Sequence, residues 1–518
     1  MKRKVLFVSA LLLSMGSVFA QGEMDAYKLS QKDLTGTARS VSMGGAMGAL
    51  GGDISAISIN PAGIGVYKSS EIVTTLNFQN TNTKIESGFG KFDESKFKVN
   101  FDNLAFVATF PIASDVAPLI NFGFSYNRLK NFHRQYSMEV ANPDATLTDY
   151  MTYRANGVAL KNDDPNELLF DDDDDIYPLQ NYDWLAVLGA NAGFFGYDDK
   201  GFFTIGGIPK GADNYLYVRE KGSVDSYDFN VGTTFSDIVS AGLTLSITDL
   251  KYRLYSELSE AYASNNYTLF NELETDGSGI QVGLGVIVKP IHQLRLGMAY
   301  HSPTWYNMTD YYSAAYSPKM TGIIPAPTGN TIIETGRFQS EDYRLRTPDR
   351  WTFSLAGILL DPGEGLFPKL TVSADYVLTN YKNMKLHDDD GNAYVGANSD
   401  IENHFRMAST LRAGLEMRFT NQFSGRVGYS WQQSPMTKEF QDNQQEVMTV
   451  GSVTHFTLDK DTHYFTYGLG YRFTRSLYAD LAFVMRQQKA DIYVYDDSSK
   501  ASWKDNTFQG LLTLGYKF

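Results

Sequence analysis

The C-terminal stretch Phe508-Gln509-Gly510-Leu511-Leu512-Thr513-Leu514-Gly515-Tyr516-Lys517-Phe518 decides the fold class. Phe508, Leu512, Leu514, Tyr516 and Phe518 share one parity; Gln509, Leu511, Thr513, Gly515 and Lys517 share the other. Alternation with period 2 marks an extended strand, whose successive side chains point to opposite faces. A final strand closing on Tyr-x-Phe is the pattern expected of an outer-membrane β-barrel, whose assembly machinery reads an aromatic C-terminus, here Phe518. Soluble sandwiches seldom end this way.

The same dyad recurs upstream. Leu370, Val372, Ala374, Tyr376 and Leu378 alternate with Thr371, Ser373, Asp375, Val377 and Thr379. Leu411, Ala413, Leu415, Met417 and Phe419 alternate with Arg412, Gly414, Glu416 and Arg418. Tyr467, Leu469, Tyr471 and Phe473 alternate with Gly468, Gly470 and Arg472. In a soluble protein the apolar set would face a core; in a barrel it faces lipid, and the polar set lines the lumen. Periodicity does not separate these cases, but connection lengths do. Candidate strands begin near residues 71, 100, 119, 224, 240, 279, 292, 350, 369, 405, 421, 463, 476 and 506, an even count of fourteen. Short links at Ile112–Pro118, Phe235–Ser240, Lys289–His292, Asp361–Pro368, Thr420–Gln422 and Thr474–Ser476 alternate strictly with longer ones such as Asn131–Ser223, Pro303–Asp349 and Gln432–Thr462. Short turns on one side and long loops on the other are the outer-membrane arrangement, and an even count leaves both chain ends on the short-turn, periplasmic side. The expected fold is all-β: a transmembrane antiparallel barrel of about 14 strands over residues 71–518, with long extracellular loops.

Composition agrees with this. Aromatic residues make up 14% of the chain, yet mean hydropathy is only −0.28. No mature segment offers the roughly 18 uninterrupted apolar residues that a spanning helix needs. A barrel needs an apolar residue only at every second strand position. Cysteine is absent, so stability is expected from a closed hydrogen-bonded ladder and not from disulfides. The net charge of −14 argues against nucleic-acid binding and reads as solubilising acid in surface loops. Lys2, Arg3 and Lys4, the apolar run Val5–Leu13 and the small-residue site Val18-Phe19-Ala20 mark residues 1–20 as a cleaved secretory signal. The mature chain is then expected to start near Gln21, and no lipoprotein anchor is expected because no cysteine follows.

Residues 21–70 differ in kind, lacking strand alternation. They contain Gly44-Gly45-Ala46-Met47-Gly48-Ala49-Leu50-Gly51-Gly52, then Asp53, then Asn60-Pro61-Ala62-Gly63. A phosphate loop would need a preceding strand and a following Gly-Lys-Ser/Thr, and neither is present. Small residues instead allow close backbone packing, and Asn-Pro favours a tight turn. Such a segment suits the confined lumen of a barrel.

Three stretches together resemble the FadL/TodX-type outer-membrane transporters of long-chain fatty acids and aromatic hydrocarbons, with the flavour of a Bacteroidetes-like branch. One runs from Gly36-Thr37-Ala38-Arg39-Ser40 through Met43-Gly44-Gly45-Ala46 to Asp53 and Asn60-Pro61-Ala62-Gly63. The second is Leu294-Arg295-Leu296-Gly297-Met298-Ala299-Tyr300-His301-Ser302-Pro303-Thr304, which departs from the family by placing His301 where arginine is frequent. The third is Arg346-Thr347-Pro348-Asp349-Arg350-Trp351. The resemblance implies that residues 21–70 form a plug, or hatch, in the lumen, with Gly44, Gly45, Asp53, Asn60, Pro61, Ala62 and Gly63 at its gating surfaces. It further implies passive uptake of a hydrophobic small molecule, with no energy source and no cofactor. The implied partners are that ligand, outer-membrane lipid and the assembly machinery, with no nucleic acid. A kink in an early strand, here sought near Asn121 to Lys130, would open a lateral path into the membrane.

Inward-facing arginines are the candidate ligand contacts: Arg295, Arg412, Arg418 and Arg426. A guanidinium matches carboxylate geometry, so they suit an anionic headgroup. Alternatively they pair with inward acids such as Asp375, Glu416 and Asp480 in a structural network. The acidic runs Asp171–Asp175 and Asp388-Asp389-Asp390-Gly391-Asn392 offer oxygen ligands that calcium favours, but lack the distal bidentate Glu of a calcium loop. They read as solvated loop charge, and no metal site is expected. HExxH, GxSxG and a catalytic cysteine are absent, and the seven histidines are scattered without ligand spacing. No catalytic residue is therefore expected. A general porin, or an adhesin-like barrel whose surface loops bind a ligand such as haem, is the alternative; the plug counts against the porin.

Overall fold

The computed structural model describes residues 21–518, apart from 143, 161, 163, 170–181, 206–210, 263–264, 320–332, 335–337, 340–341, 364, 444 and 448. The leader at 1–20 and the aspartate run at 171–175 lie outside the described residues.

The strands that the dyads foretell make one closed wall: β1 (Glu71–Ser87), β2 (Gly90–Pro111), β3 (Leu119–Asn131), β4 (Ala212–Phe235), β5 (Val239–Tyr262), β6 (Asn265–Ile291), β7 (Leu294–His301), β8 (Arg350–Leu360), β9 (Lys369–Asn380), β10 (Met407–Arg418), β11 (Phe423–Gln432), β12 (Phe456–Arg472), β13 (Leu477–Tyr493) and β14 (Ala501–Lys517). Each pairs antiparallel with its neighbour in sequence, and β14 returns to β1 with Glu71 opposite Lys517. Closure matters because hydrocarbon offers no partner for an unpaired backbone group, so a spanning sheet cannot have a free edge. The chain end is tied in by the Phe518 amide, which donates to the Ser70 carbonyl at 3.0 Å.

Face assignment follows parity. Leu411, Tyr467, Leu469, Tyr471, Phe508, Leu514 and Tyr516 are exposed on the outer surface, whereas Ser373, Asp375, Glu416 and Thr513 are buried inside. Aromatic pairs collect at both rims of the apolar band, as in a membrane girdle: Tyr126–Tyr227 and Tyr300–Trp351 on the upper rim, Phe419–Phe423 and Tyr471–Phe473 on the lower.

Several strands run further than their apolar alternation. β4 begins at Ala212 and β6 at Asn265, and only Gly88 and Phe89 separate β1 from β2. Long links expected between β1 and β2 and between β5 and β6 are in fact strand, so short and long connections do not alternate strictly. The reason is solvent. Above the band the outward positions are polar, as in Lys84 and Asp93, paired at 2.9 Å across the β1–β2 hairpin, so hydrophobic contrast vanishes while the ladder continues.

Two family-like stretches form neighbouring breaks in the wall. After β7 the chain bulges at Ser302-Pro303-Thr304, then rejoins β6 as Trp305–Lys319. Beside it, Tyr343–Arg346 is separated from β8 by Thr347-Pro348-Asp349. The Thr347 amide donates to the Thr304 carbonyl at 3.0 Å. On the extracellular side, α3 (Leu147–Asn156), α4 (Trp184–Asn191) and α5 (Val395–His404) cover the mouth. Leu147, Met151, Leu185 and Leu188 pack there against inward strand residues such as Leu216, Leu258, Leu269 and Tyr316.

Candidate functional site

Residues 22–67 lie inside the wall as short helices, whose starts the sequence fixes. Thr37 accepts from the Ser40 amide at the head of α2 (Ala38–Ser42), Asp53 from the Ser55 amide, and Asn60 from the Ala62 amide with Pro61 in the first helical position. These are N-cap hydrogen bonds, which satisfy amides that a helix leaves free.

Plug and wall are joined at many points. Asn60 Nδ2 donates to the Gly48 carbonyl at 2.7 Å and to the Val286 carbonyl of β6 at 3.2 Å. Asp375 on β9 accepts from the Met47 and Gly48 amides, both at 3.1 Å. Arg295 donates to the Leu50 carbonyl at 2.5 Å. Thr466 accepts from the Gly44 amide at 3.1 Å and donates to the Ser42 carbonyl at 3.0 Å. Glu416 gathers Arg39 of the plug (2.9 Å), Arg426 (2.7 Å) and Arg418 (3.4 Å), and Arg426 continues to Asp480 at 2.5 Å. Asp53 accepts from the Thr37 hydroxyl at 2.8 Å within the plug. Leu511, on the inward parity of β14, packs against Leu34, Ala38 and Val41.

The wall is also shaped to the plug. A methyl group on Gly285 would overlap the Asn60 side chain, one on Gly242 the Pro61 carbonyl, and one on Gly428 the Gly44 amide; on Gly414 it would lie 2.5 Å from the Met43 carbonyl. Here glycine allows plug backbone to approach wall backbone directly, the role it serves wherever two chains touch. The inward parity of these glycines was the signal in the sequence that could have located the contact surface.

Above the plug the segment turns upward to α1 (Glu23–Ser30), which reaches the extracellular cover. Tyr27 lies 5.3 Å from the ring of Phe405, and Glu23 meets His404 Nδ1 at 3.4 Å. Between α1 and the plug lies a chamber of about 170 Å³ lined largely by Ser, Thr, Gln and basic side chains. Of the four candidate arginines only Arg412 faces it; Arg295, Arg418 and Arg426 sit lower, at the plug contacts described above. Sequence reasoning missed Lys32, Lys130 and Arg350, which also line it.

The third element is a seam in the wall. β2 and β3 pair only from Pro111–Leu119 to Asn103–Asn127, whereas β2 continues along β1 to Gly90. β3 bulges between Arg128 and Lys130, within the region where a kink is expected. Above Asn103 side chains bridge the gap: Lys98 Nζ of β2 lies 2.8 Å from the ring of His133 just past β3, Glu94 of β2 accepts at 2.9 Å from Gln135 in the following strand Arg134–Asn142, and Asn131 at the end of β3 donates to Gln79 of β1 at 3.3 Å. The outward residues beside the seam include Phe101, Val99 and Phe97, all exposed. Inside it, Asp33 of the plug segment binds Lys130 at 2.8 Å, and its amide donates to the Leu129 carbonyl at 2.8 Å. A smaller cavity of about 60 Å³ behind Asn131 and His133 shares Tyr27, Gln31 and Lys130 with the chamber.

A family model described as outer membrane protein transport protein (OMPP1/FadL/TodX) matches residues 225–510, most of the closed wall. The chain belongs to this family. Members are transport proteins of the outer membrane, and that is where this OMPP1/FadL/TodX barrel resides. Among solved structures it is similar to a Pseudomonas aeruginosa FadL homologue, at 13% identity over 94% of this chain and 99% of that one, with a TM-score of 0.53. It is also similar to the P. putida toluene transporter TodX, at 13% identity, 94% and 99% coverage and a TM-score of 0.52. These likenesses are of fold. No curated protein matches the sequence.

In the second acidic cluster Asp388 accepts from the Asn392 amide at 2.7 Å and from its side chain at 2.8 Å, and Asp389 meets Arg344 at 3.4 Å. Among the described residues no group of three or more His, Asp or Glu side chains is arranged to hold a metal ion.

Proposed function

We propose that this family member carries hydrophobic small molecules, long-chain fatty acids or similar apolar compounds, passively across the outer membrane. The plug of residues 21–70 acts as the gate and the β2–β3 seam as the lateral exit; the chain has no enzymatic role. One observation carries the reading. The β2–β3 ladder stops at Asn103–Asn127, at the upper rim of the apolar band beside the exposed Phe101 and Val99, with the lumen cavities behind. A ligand at that point meets lipid outside and a plugged, polar lumen below, so an apolar molecule gains by leaving sideways. The Asp33–Lys130 pair joins the plug segment to the strand edge, which couples plug position to the seam.

Deleting residues 36–65 tests the gate. The barrel should still fold, because no wall strand is removed, while leakage of small solutes should rise and saturable uptake of a hydrophobic probe such as oleate should disappear. Unchanged leakage and uptake would remove the plug from the mechanism. The same uptake assay addresses the porin alternative, in which the deletion would raise flux of hydrophilic solutes without affecting oleate.

A further inference from the structure

Four nitrogen-bearing side chains converge on the chamber above the plug: Lys32 from the plug segment, His301 from the end of β7, Arg350 from the start of β8 and Arg412 from β10. Arg350 is within electrostatic reach of both Lys32 and His301, and Arg412 of Arg350. Among the described residues none has a carboxylate at ion-pair distance. Lys32 donates to Gln281 at 3.3 Å and Arg350 to the Ser58 carbonyl at 2.9 Å. His301 is only 4% exposed, and neither of its ring nitrogens has a hydrogen-bond partner; nor do Arg350 Nε and Arg412 Nε.

Other basic groups around the chamber are accounted for: Lys130 pairs with Asp33, Lys460 with Asp491 and Arg486 with Asp505. Two carboxylates are near enough to act at a distance but are engaged elsewhere. Asp375, directly across the ladder from Arg412, accepts from the plug amides through Oδ2, while its buried Oδ1 has no hydrogen-bond partner. Asp228 accepts from Ser226 at 2.5 Å and Asn127 at 2.8 Å. Buried polar groups without partners are costly, and buried unpaired charges more so. A protein that keeps such a cluster beside a polar cavity of this size has the donor set for an anion, since guanidinium and ammonium groups are the strong binders of oxyanions.

We propose that the chamber is a binding site for a compact oxyanion, phosphate or carboxylate, held by Lys32, His301, Arg350 and Arg412, which bridges the plug segment to the wall. Burial, reinforced by Arg350 and opposed by Asp228, pulls the Lys32 amine down to about 7, so an arriving anion would also restore its charge. The oxyanion is either a free ion or the headgroup of an amphiphile. With a free ion the site stands apart from the transport reading, and with a headgroup it rests on that reading; a protein that binds oxyanions but carries no hydrophobic compound would defeat the transport reading and leave the site intact.

The test is calorimetric titration of the full chain in a neutral maltoside detergent, with heat-modifiable mobility as the check of folding. The probes are inorganic phosphate, dodecanoate below its micellar concentration, and dodecanol. Phosphate binding identifies the free ion and binding of dodecanoate alone identifies the headgroup; either supports the site if Arg350→Gln and Arg412→Gln each weaken it at least tenfold. Should a wall variant fail to fold, Lys32→Met leaves the wall untouched and should weaken binding severalfold. Binding of neither anion, dodecanol binding as tightly as dodecanoate, or affinities unchanged in the folded variants would overturn the proposal.

Discussion

Asn60→Ala isolates the plug from the wall at a single side chain. The substitution removes the N-cap acceptor for the Ala62 amide and the two hydrogen bonds donated to Gly48 and Val286. Loss of a cap costs about 1 kcal/mol, and each further hydrogen bond contributes a net of roughly 0.5–1.5 kcal/mol. The plug should therefore lose about 2–4 kcal/mol in all; only the Val286 bond crosses to the wall, so docking itself should weaken by roughly 0.5–1.5 kcal/mol, or about 2- to 12-fold in the ratio of seated to unseated plug at about 1.4 kcal/mol per tenfold. Asn60→Asp keeps the cap acceptor and loses only the donated bonds, so its effect should fall between wild type and Ala. The assay is planar-bilayer recording of transient conductance steps, with heat-modifiable gel mobility as the measure of wall stability. The frequency of openings should rise in the order wild type, Asp, Ala while the wall melts unchanged. Wild-type frequency in the Ala variant, or a fall in wall stability matching the rise in openings, would refute the assignment of Asn60 as a plug contact.

Three further outcomes are expected. Gly428→Val should unseat the plug, since its side chain would enter the space of the Gly44 amide; protease accessibility of residues 36–65 should increase while the barrel stays folded. Leu415→Arg, on the lipid face, should cost about 2–4 kcal/mol of membrane folding if near the midplane, whereas Thr371→Arg, on the lumen parity, should cost clearly less in the same urea titration. With Lys32 near 7, the amine is charged below that pH and neutral above it. Sulfate, which does not titrate in this range, should bind the chamber more tightly at pH 6 than at pH 8, and Lys32→Met should shrink the difference in a calorimetric comparison.

The wall was legible where lipid imposes contrast. Tyr467, Leu469 and Tyr471 face hydrocarbon, so their parity could be read directly and gave strand, face and lumen together. It faded where β4, β5 and β6 rise above the membrane, because water on the outside makes residues such as Lys251 and Arg253 of β5 as suitable as any apolar one. The plug was legible as a departure from alternation, and Asn60-Pro61 as a turn, but its partners were not. Which wall positions meet it depends on long-range register, visible beforehand only as glycines on the inward parity. Among the arginines, parity placed all four inside but carried no information on height, which is what separates Arg412 at the chamber from Arg418 and Arg426 in the Glu416 network. Lys32 gave no signal and Arg350 none beyond its place in the third family-like stretch, since one lies in an aperiodic segment and the other beside a break, where parity has no meaning.

Because the chain has no cysteine, a thiol-specific staple can be placed across the seam alone. The side chains of Lys98 and His133 meet there at 2.8 Å, so Lys98→Cys with His133→Cys joined by a short bis-maleimide should hold β2 to β3 without touching the plug. The decisive measurement is uptake of radiolabelled oleate and toluene by energy-depleted cells making this pair, before and after stapling, against cells lacking the protein. Saturable uptake of at least one compound, lost on stapling, is expected. Uptake no faster than in cells lacking the protein, or unaffected by the staple, would contradict a hydrophobic route through the β2–β3 seam.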